Sequence, residues 1–221
     1  LLQSVDLGGI ETKTIFSTTT TNYENVYIMK FGKERFVVAV PDSNARLRQK
    51  EIIIDKEGRE LSILPEPKIY KGSFGAIGFA ASDDYKKIAY PFEDKVIIYD
   101  VDKDSEISVD LPGIEPWNMA FSENKEFLFV NHECKYIGEL GGPYELVNNA
   151  AIYRIRLADL SFVKVADTDC YINFYPEFNF ALTSGLPTYK DQEGFMKFNT
   201  GIYRVDLFTG NTTRLSPENY N

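Results

Sequence analysis

His132-Glu133-Cys134 is the first place in this sequence to look for chemistry, because alternate residues on a strand point the same way and His132 and Cys134 could share a metal ion. His132 is the only histidine, however, and zinc needs more ligands than this pair supplies. Asp100, Asp102 and Asp104 form a second constellation. They alternate, so their carboxylates project to one side of a strand end, a layout that can ligate calcium. The EF-type loop is not satisfied there, since Ser105 stands where glycine is required and Leu111 where the closing glutamate belongs. A solvated hairpin tip accounts for the same run, so the metal expectation is none, with the three aspartates as weak candidates. The sequence holds no Gly-x-Ser-x-Gly elbow, no partner set for a histidine triad and no phosphate-cradling Gly-Lys-Ser/Thr loop. Catalytic residues and cofactors are therefore expected to be none.

Aromatic residues are the remaining functional currency. The chain has 16 Phe, 14 Tyr and one Trp, which favour packed, pleated strands over helices. Tyr and Trp also offer large contact area at small entropic cost in binding surfaces. A formal charge of −9 argues against nucleic acid, whose phosphates require a surplus of Lys and Arg. It equally disfavours an anionic membrane surface, and no apolar run approaches the ~18 residues of a membrane span. Cys134 and Cys170 could form one disulfide or remain two thiols, the thiols being the preferred reading. Asn211-Thr212-Thr213 is a glycosylation-type triplet in a turn, meaningful only in a secreting eukaryote. The chain opens on Leu, and we expect a trimmed or processed polypeptide whose compartment is unreadable from targeting.

The elements that must position these residues emerge from a repeat of about fifty residues. Paired β-rich runs recur as Val5-Asp6-Leu7 with Lys13-Thr14-Ile15-Phe16, and as Ile52-Ile53-Ile54-Asp55 with Leu61-Ser62-Ile63-Leu64. Further copies begin at Ile98-Tyr99-Asp100, Ile152-Tyr153-Arg154 and Ile202-Tyr203-Arg204. Equivalent positions Asp6, Asp55, Asp102, Arg156 and Asp206 lie at steps of 49, 47, 54 and 50 residues. Between them lie units such as Ile28-Met29-Lys30-Phe31 with Arg35-Phe36-Val37-Val38, and Asn118-Met119-Ala120-Phe121 with Phe127-Leu128-Phe129-Val130. The linkers are short and polar, as tight hairpin turns require. Each period thus holds four strands, A to D. A four-stranded sheet with two apolar faces is stable only between neighbours, which a radial array supplies.

The predicted fold is therefore all-β: a β-propeller of four-stranded antiparallel blades, about four and a half of them. We expect a half blade at 1–16 and full blades at 26–64, 74–111, 117–165 and 171–215, in a single propeller domain or fragment. A β-sandwich is the competitor, but it would not require the A-B-C-D order to recur. The missing blades of a six-to-eight-blade ring are expected from the parent chain.

Ala81-Ser82-Asp83-Asp84-Tyr85-Lys86-Lys87-Ile88-Ala89-Tyr90 and Ile202-Tyr203-Arg204-Val205-Asp206-Leu207-Phe208-Thr209-Gly210 resemble the TolB-like propeller repeat, which also occurs in prolyl-oligopeptidase-type peptidases. That repeat runs loosely Ser-Pro-Asp-Gly-Lys, an apolar strand, then an aromatic-rich strand ending in Asp and a Gly turn. Tyr85 stands here where the repeat has Gly. The resemblance implies a periplasmic or cell-surface binding scaffold, or the gating domain of a larger enzyme.

In such a blade array the D-to-A and B-to-C connections share one face. Two B-to-C connections are long, Asn131 to Asn149 and Ser184 to Thr200, and long loops on a rigid scaffold commonly carry function. They bring Tyr136, Tyr144, Tyr189 and Phe195 to that face, and the D-to-A connections add Tyr70, Trp117 and Tyr171. This rim is the candidate ligand-binding surface, unless its aromatics fold down onto their own loops. The expected function is a non-catalytic module holding a protein or glycan. The alternatives are a propeller of a larger enzyme, such as a prolyl-oligopeptidase-like peptidase with its catalysis elsewhere, or a structural segment of a surface assembly.

Overall fold

The computed structural model describes residues 2–5, 12–16, 27–31, 34–41, 49–64, 79–132, 136–137, 145–146, 150–169, 172–190, 192 and 196–217. The chain divides into two compact units, Leu1–Ile77 and Gly78–Asn221. In the first unit, β1 (Leu2–Val5) pairs antiparallel with β2 (Thr12–Phe16). Next comes an antiparallel sheet in sequence order, β3 (Tyr27–Phe31), β4 (Arg35–Pro41), β5 (Gln49–Asp55) and β6 (Glu60–Ile63). Its inner strands are β-branched runs in register, Val37 against Ile53 and Val38 against Ile52, and all four side chains are buried. Since neighbours along a strand face opposite ways, both faces of this sheet are apolar.

The second unit contains three more four-stranded sheets. β7 (Ala80–Ala81), β8 (Lys87–Phe92), β9 (Lys95–Asp100) and β10 (Ser105–Asp110) form one. In the next, β11 (Pro116–Phe121) and β12 (Phe127–His132) are followed by a small hairpin, β13 (Tyr136–Ile137) and β14 (Glu145–Leu146). The sheet then resumes with β15 (Ala150–Arg156) and β16 (Phe162–Thr168). The last sheet is β17 (Ile172–Tyr175), β18 (Phe180–Lys190), β19 (Met196–Asp206) and β20 (Thr212–Arg214), with a 3-10 turn at Pro176–Phe178 joining its first two strands. Counting the sheets in chain order, these are blades one to four.

Blade three shows why four strands do not suffice alone. Leu128, Val130 and Ile155 join Met119 and Phe121 in packing on Ala89, Val96, Ile98 and Leu111 of blade two. The alternate residues Phe129 and Ile152 turn the other way, onto Ile172, Ala181, Val205 and Leu207 of blade four. Each such side chain contributes about 1.5–3 kcal/mol when removed from water, so the two faces together hold the blade between its neighbours.

The turns explain the polar signatures of the repeat. Ser82 Oγ accepts from Lys87 N–H (3.0 Å) and donates to Asp84 Oδ1 (2.7 Å), and Ser122 does the same with Phe127 and Asn124. The residue after each acceptor has a left-handed backbone, Tyr85 at φ 61° and Lys125 at φ 58°. Tyr85 thus adopts the conformation for which the TolB-like repeat uses glycine. At the C–D turns, Asp55 Oδ1 accepts from Glu57 and Arg59 N–H, and Asp206 Oδ1 from Phe208 and Thr209 N–H. Pairing of Lys87 with Asp100, matching Arg35 with Asp55 and Phe180 with Asp206, makes Asp100 the equivalent residue in blade two. The repeat position therefore falls on Asp100 and not on Asp102, a correction of two residues that preserves the face.

Candidate functional site

At the end of blades three and four where D-to-A and B-to-C connections meet, Trp117 is displayed by a backbone irregularity. Pro116 pairs with His132 and Asn118 with Asn131, so Trp117 is the extra residue of a β-bulge in β11. Bulges re-aim side chains and leave ladder groups unpaired. Here side chains take over: Asn131 Oδ1 accepts from Asn118 N–H at 2.7 Å, and His132 Nδ1 accepts from Glu115 N–H at 3.0 Å. Asn118 Nδ2 then donates to the Ile172 carbonyl at 3.2 Å, tying the inner strand of blade three to that of blade four. Asn131 and His132 are buried beneath this brace, whereas Trp117 is 40% exposed.

A second brace repeats the arrangement on blade four. Asp169, in the connection from blade three, accepts from Thr183 Oγ1 at 2.6 Å and from Ser184 Oγ. Its own N–H donates to the Gly185 carbonyl at 3.2 Å. Beyond this point β18 and β19 continue side by side as far as Lys190 and Met196. The connection from Ser184 to Thr200, expected as a long loop, is thus largely an extension of the hairpin, because alternating polar and apolar residues can keep pairing beyond the blade. Tyr189 lies on this arm, 61% exposed, opposite Lys197. Thr188 Oγ1 donates to the Lys197 carbonyl at 2.9 Å.

The structure thus places Trp117 and Tyr189 at this end as exposed aromatics. Tyr136 is in β13, opposite Leu146. Tyr70, Tyr144, Tyr171 and Phe195 lie outside the described residues, as do Cys134 and Cys170. Sequence reasoning did not pick out Asn118, Asn131 and Asp169, the residues that fix the rim. The available signal was a pair of polar residues, Asn131-His132, directly following the apolar run Phe127–Val130. Chemically, the polar groups of Asn118, Asn131, Asp169 and Thr183 at the rim are engaged in hydrogen bonds. Ser184 is hydrogen-bonded to a carboxylate that also holds Thr183, and His132 uses Nδ1 to brace backbone.

The aspartate constellation is at a different place and has a different role. β9 ends at Asp100 and residues 101–104 form a turn, so the alternation that would align three carboxylates does not exist. Asp100 meets Lys87 (3.4 Å) and Lys103 (3.1 Å), Asp102 meets Lys86 (2.5 Å), and Asp104 accepts from the Tyr99 hydroxyl (2.9 Å). Among the described residues, no group of three or more His, Cys, Asp or Glu side chains is arranged to hold a metal.

Nearby, Lys125 of blade three reaches Asp84 of blade two at 2.7 Å. Partial burial opposes ionisation of Asp84. Hydrogen bonds from Lys125, Ser82 and Lys86 N–H outweigh that effect and hold its carboxyl down at about 2. The stabilisation this gives is present above pH ~4 and is lost as pH falls towards 2. Asp84→Asn should therefore lower stability at neutral pH by about 1 kcal/mol after solvent screening, and by progressively less on acidification. Urea unfolding at pH 7 and pH 2.5 checks this; a difference independent of pH would contradict it.

No family profile and no curated protein matches the sequence. Solved structures do match in fold. TolB from Acinetobacter baumannii is similar at 16% identity and a TM-score of 0.51, over 83% of this chain and 41% of that one. Pyrococcus horikoshii acylaminoacyl peptidase is similar at 12% identity and a TM-score of 0.51, over 87% of this chain and 32% of that one. An acylaminoacyl peptidase in complex with Z-Gly-Gly-Phe-chloromethyl ketone matches at 11% identity and a TM-score of 0.50, over 88% and 33% of the two chains. The chain spans less than half the length of each of these proteins. Four four-stranded antiparallel sheets and these likenesses together make it an all-β propeller chain of about four blades, similar in fold to those structures.

Proposed function

We propose that this chain is a binding module, not a catalyst, and that it holds a protein or glycan on the rim carrying Trp117 and Tyr189. The observation that carries this reading is the bulge at Trp117. A large aromatic is held out towards solvent while three buried or half-buried polar residues hold the backbone beneath it. Rigid, exposed aromatics on a braced scaffold make effective anchors because little freedom remains to be lost on binding. The likeness to the TolB repeat supports an extracytoplasmic setting. A second reading, a propeller that gates a peptidase whose catalytic residues lie outside this chain, is favoured by the likeness to acylaminoacyl peptidases.

Trp117 is the only tryptophan, so its emission reports on the rim alone. Titration with a panel of neutral oligosaccharides and with peptides should shift that emission for at least one probe class. Tyr189→Ala should then weaken the same titration by about tenfold or more, the loss typical of an aromatic anchor, while Val101→Ser at a C–D turn leaves it unchanged. Emission unmoved by every probe, or affinity indifferent to Tyr189, would refute the rim as the binding surface.

A further inference from the structure

The packing of blade four on blade three is built around a cation clamp. Arg154 lies over the rings of Phe127 and Phe208, 5.2 Å from each centroid, and its Nη1 donates to the Phe208 carbonyl at 3.0 Å. Phe127 and Arg154 belong to blade three, and Phe208 comes from the C–D turn of blade four. The Phe208 ring also stands edge-on to Phe127 and Phe129, at 5.4 and 5.8 Å. Behind it, Gly210 of the same turn lies directly against the Val165 carbonyl of blade three.

Half of this clamp is repeated on the opposite face of blade four. Phe127 pairs with Arg156 and Phe180 with Asp206, so Arg204 and Phe180 occupy the positions of Arg154 and Phe127. Arg204 lies over the Phe180 ring at 4.8 Å. Ile202, the counterpart of Ile152, completes the comparison: Ile152 is fully buried and Ile202 is 51% exposed. Phe180 is further backed by Tyr175 and Phe178, stacked on it at 5.2 and 6.1 Å. The cation, the ring beneath it and the apolar neighbour are all in place, and among the described residues no second ring and no carbonyl acceptor meets the Arg204 guanidinium.

We propose that this outward face of blade four is an interblade seat, and that its occupant is a further blade of the same polypeptide. The C–D turn of that blade presents an aromatic ring and a carbonyl to Arg204, with glycine two residues after the aromatic. The occupant is specified by the filled copy of the seat one blade earlier, where Phe208-Thr209-Gly210 does the same to Arg154. The corresponding turns of the first three blades carry Lys56-Glu57-Gly58, Asp102-Lys103-Asp104 and Ala158-Asp159-Leu160, none of them aromatic. In this proposal the turn that fits Arg204 therefore belongs to none of these three blades. This inference is independent of what the rim binds, since it concerns a blade face and not the loop end.

Arginine footprinting with phenylglyoxal, read by mass spectrometry, tests it. In the polypeptide as its host makes it, Arg204 should react at least ~10-fold more slowly than the exposed Arg59, as slowly as Arg154, at every protein concentration. In the 221-residue chain alone, Arg204 should react at about the rate of Arg59 while Arg154 stays protected. Three results overturn the proposal: a reactive Arg204 in the host's polypeptide, protection that dilutes away and so marks a second copy, or protection already complete in the 221 residues.

Discussion

Gly210→Ala should destabilise the packing of blade four on blade three by about 3 kcal/mol or more, because the added carbon meets two separate obstacles. Its backbone has φ +74°, which L side chains rarely adopt, and a Cβ there would stand 2.3 Å from the Val165 carbonyl oxygen. That neighbour is backbone in β16 and cannot swing aside as a side chain tip could. Gly113 provides the control within the same chain: its φ is +73°, but nothing lies within 4 Å of its would-be Cβ. Gly113→Ala should therefore cost only the conformational share, about 1 kcal/mol. Chemical denaturation of the two variants beside the parent separates the terms. Equal losses would mean that the close approach at Val165 contributes nothing.

The second large effect is expected at Phe129. Its side chain is fully buried between blades three and four, stacked on Phe174 at 6.4 Å and edge-on to Phe208. Phe129→Ala removes the ring and leaves a cavity bounded by two blades that their own hydrogen-bond ladders hold in place, so collapse is limited. A loss of about 3–5 kcal/mol in unfolding free energy follows, whereas Phe162→Ala on the exposed outer strand should stay within about 1 kcal/mol. Because Arg154 bridges the same interface, combining Phe129→Ala with Arg154→Ala should give less than the sum of the two single losses. Additive losses would show that the clamp and the core act as separate units.

Much of this molecule is legible in its residues because the relevant physics is local. Val37-Val38 opposite Ile52-Ile53, and Leu128-Phe129-Val130 beside the strand that carries Ile152 and Ile155, announce strands apolar on both faces, and such sheets require neighbours. Ser82 and Ser122 mark turns because a hydroxyl two residues from Asp or Asn closes a hydrogen-bonded loop without help from elsewhere. Reading failed where identity depends on register. Asp102 resembles the repeat position, but the pairing of Lys87 selects Asp100. Asp100, Asp102 and Asp104 look aligned only while the chain is taken as extended, and the tight turn after Asp100 separates them towards different lysines and Tyr99.

Composition and spacing by themselves determined four strands per period, their apolar faces and the polar turns between them, since hairpin pairing and two-residue alternation act over a few positions. Tertiary structure alone decided that Trp117 stands in a bulge, that Asn118 reaches Ile172 and that Arg154 clamps Phe208. Those contacts join residues up to 54 apart in the chain, and their partners are chosen by how one blade seats on the next.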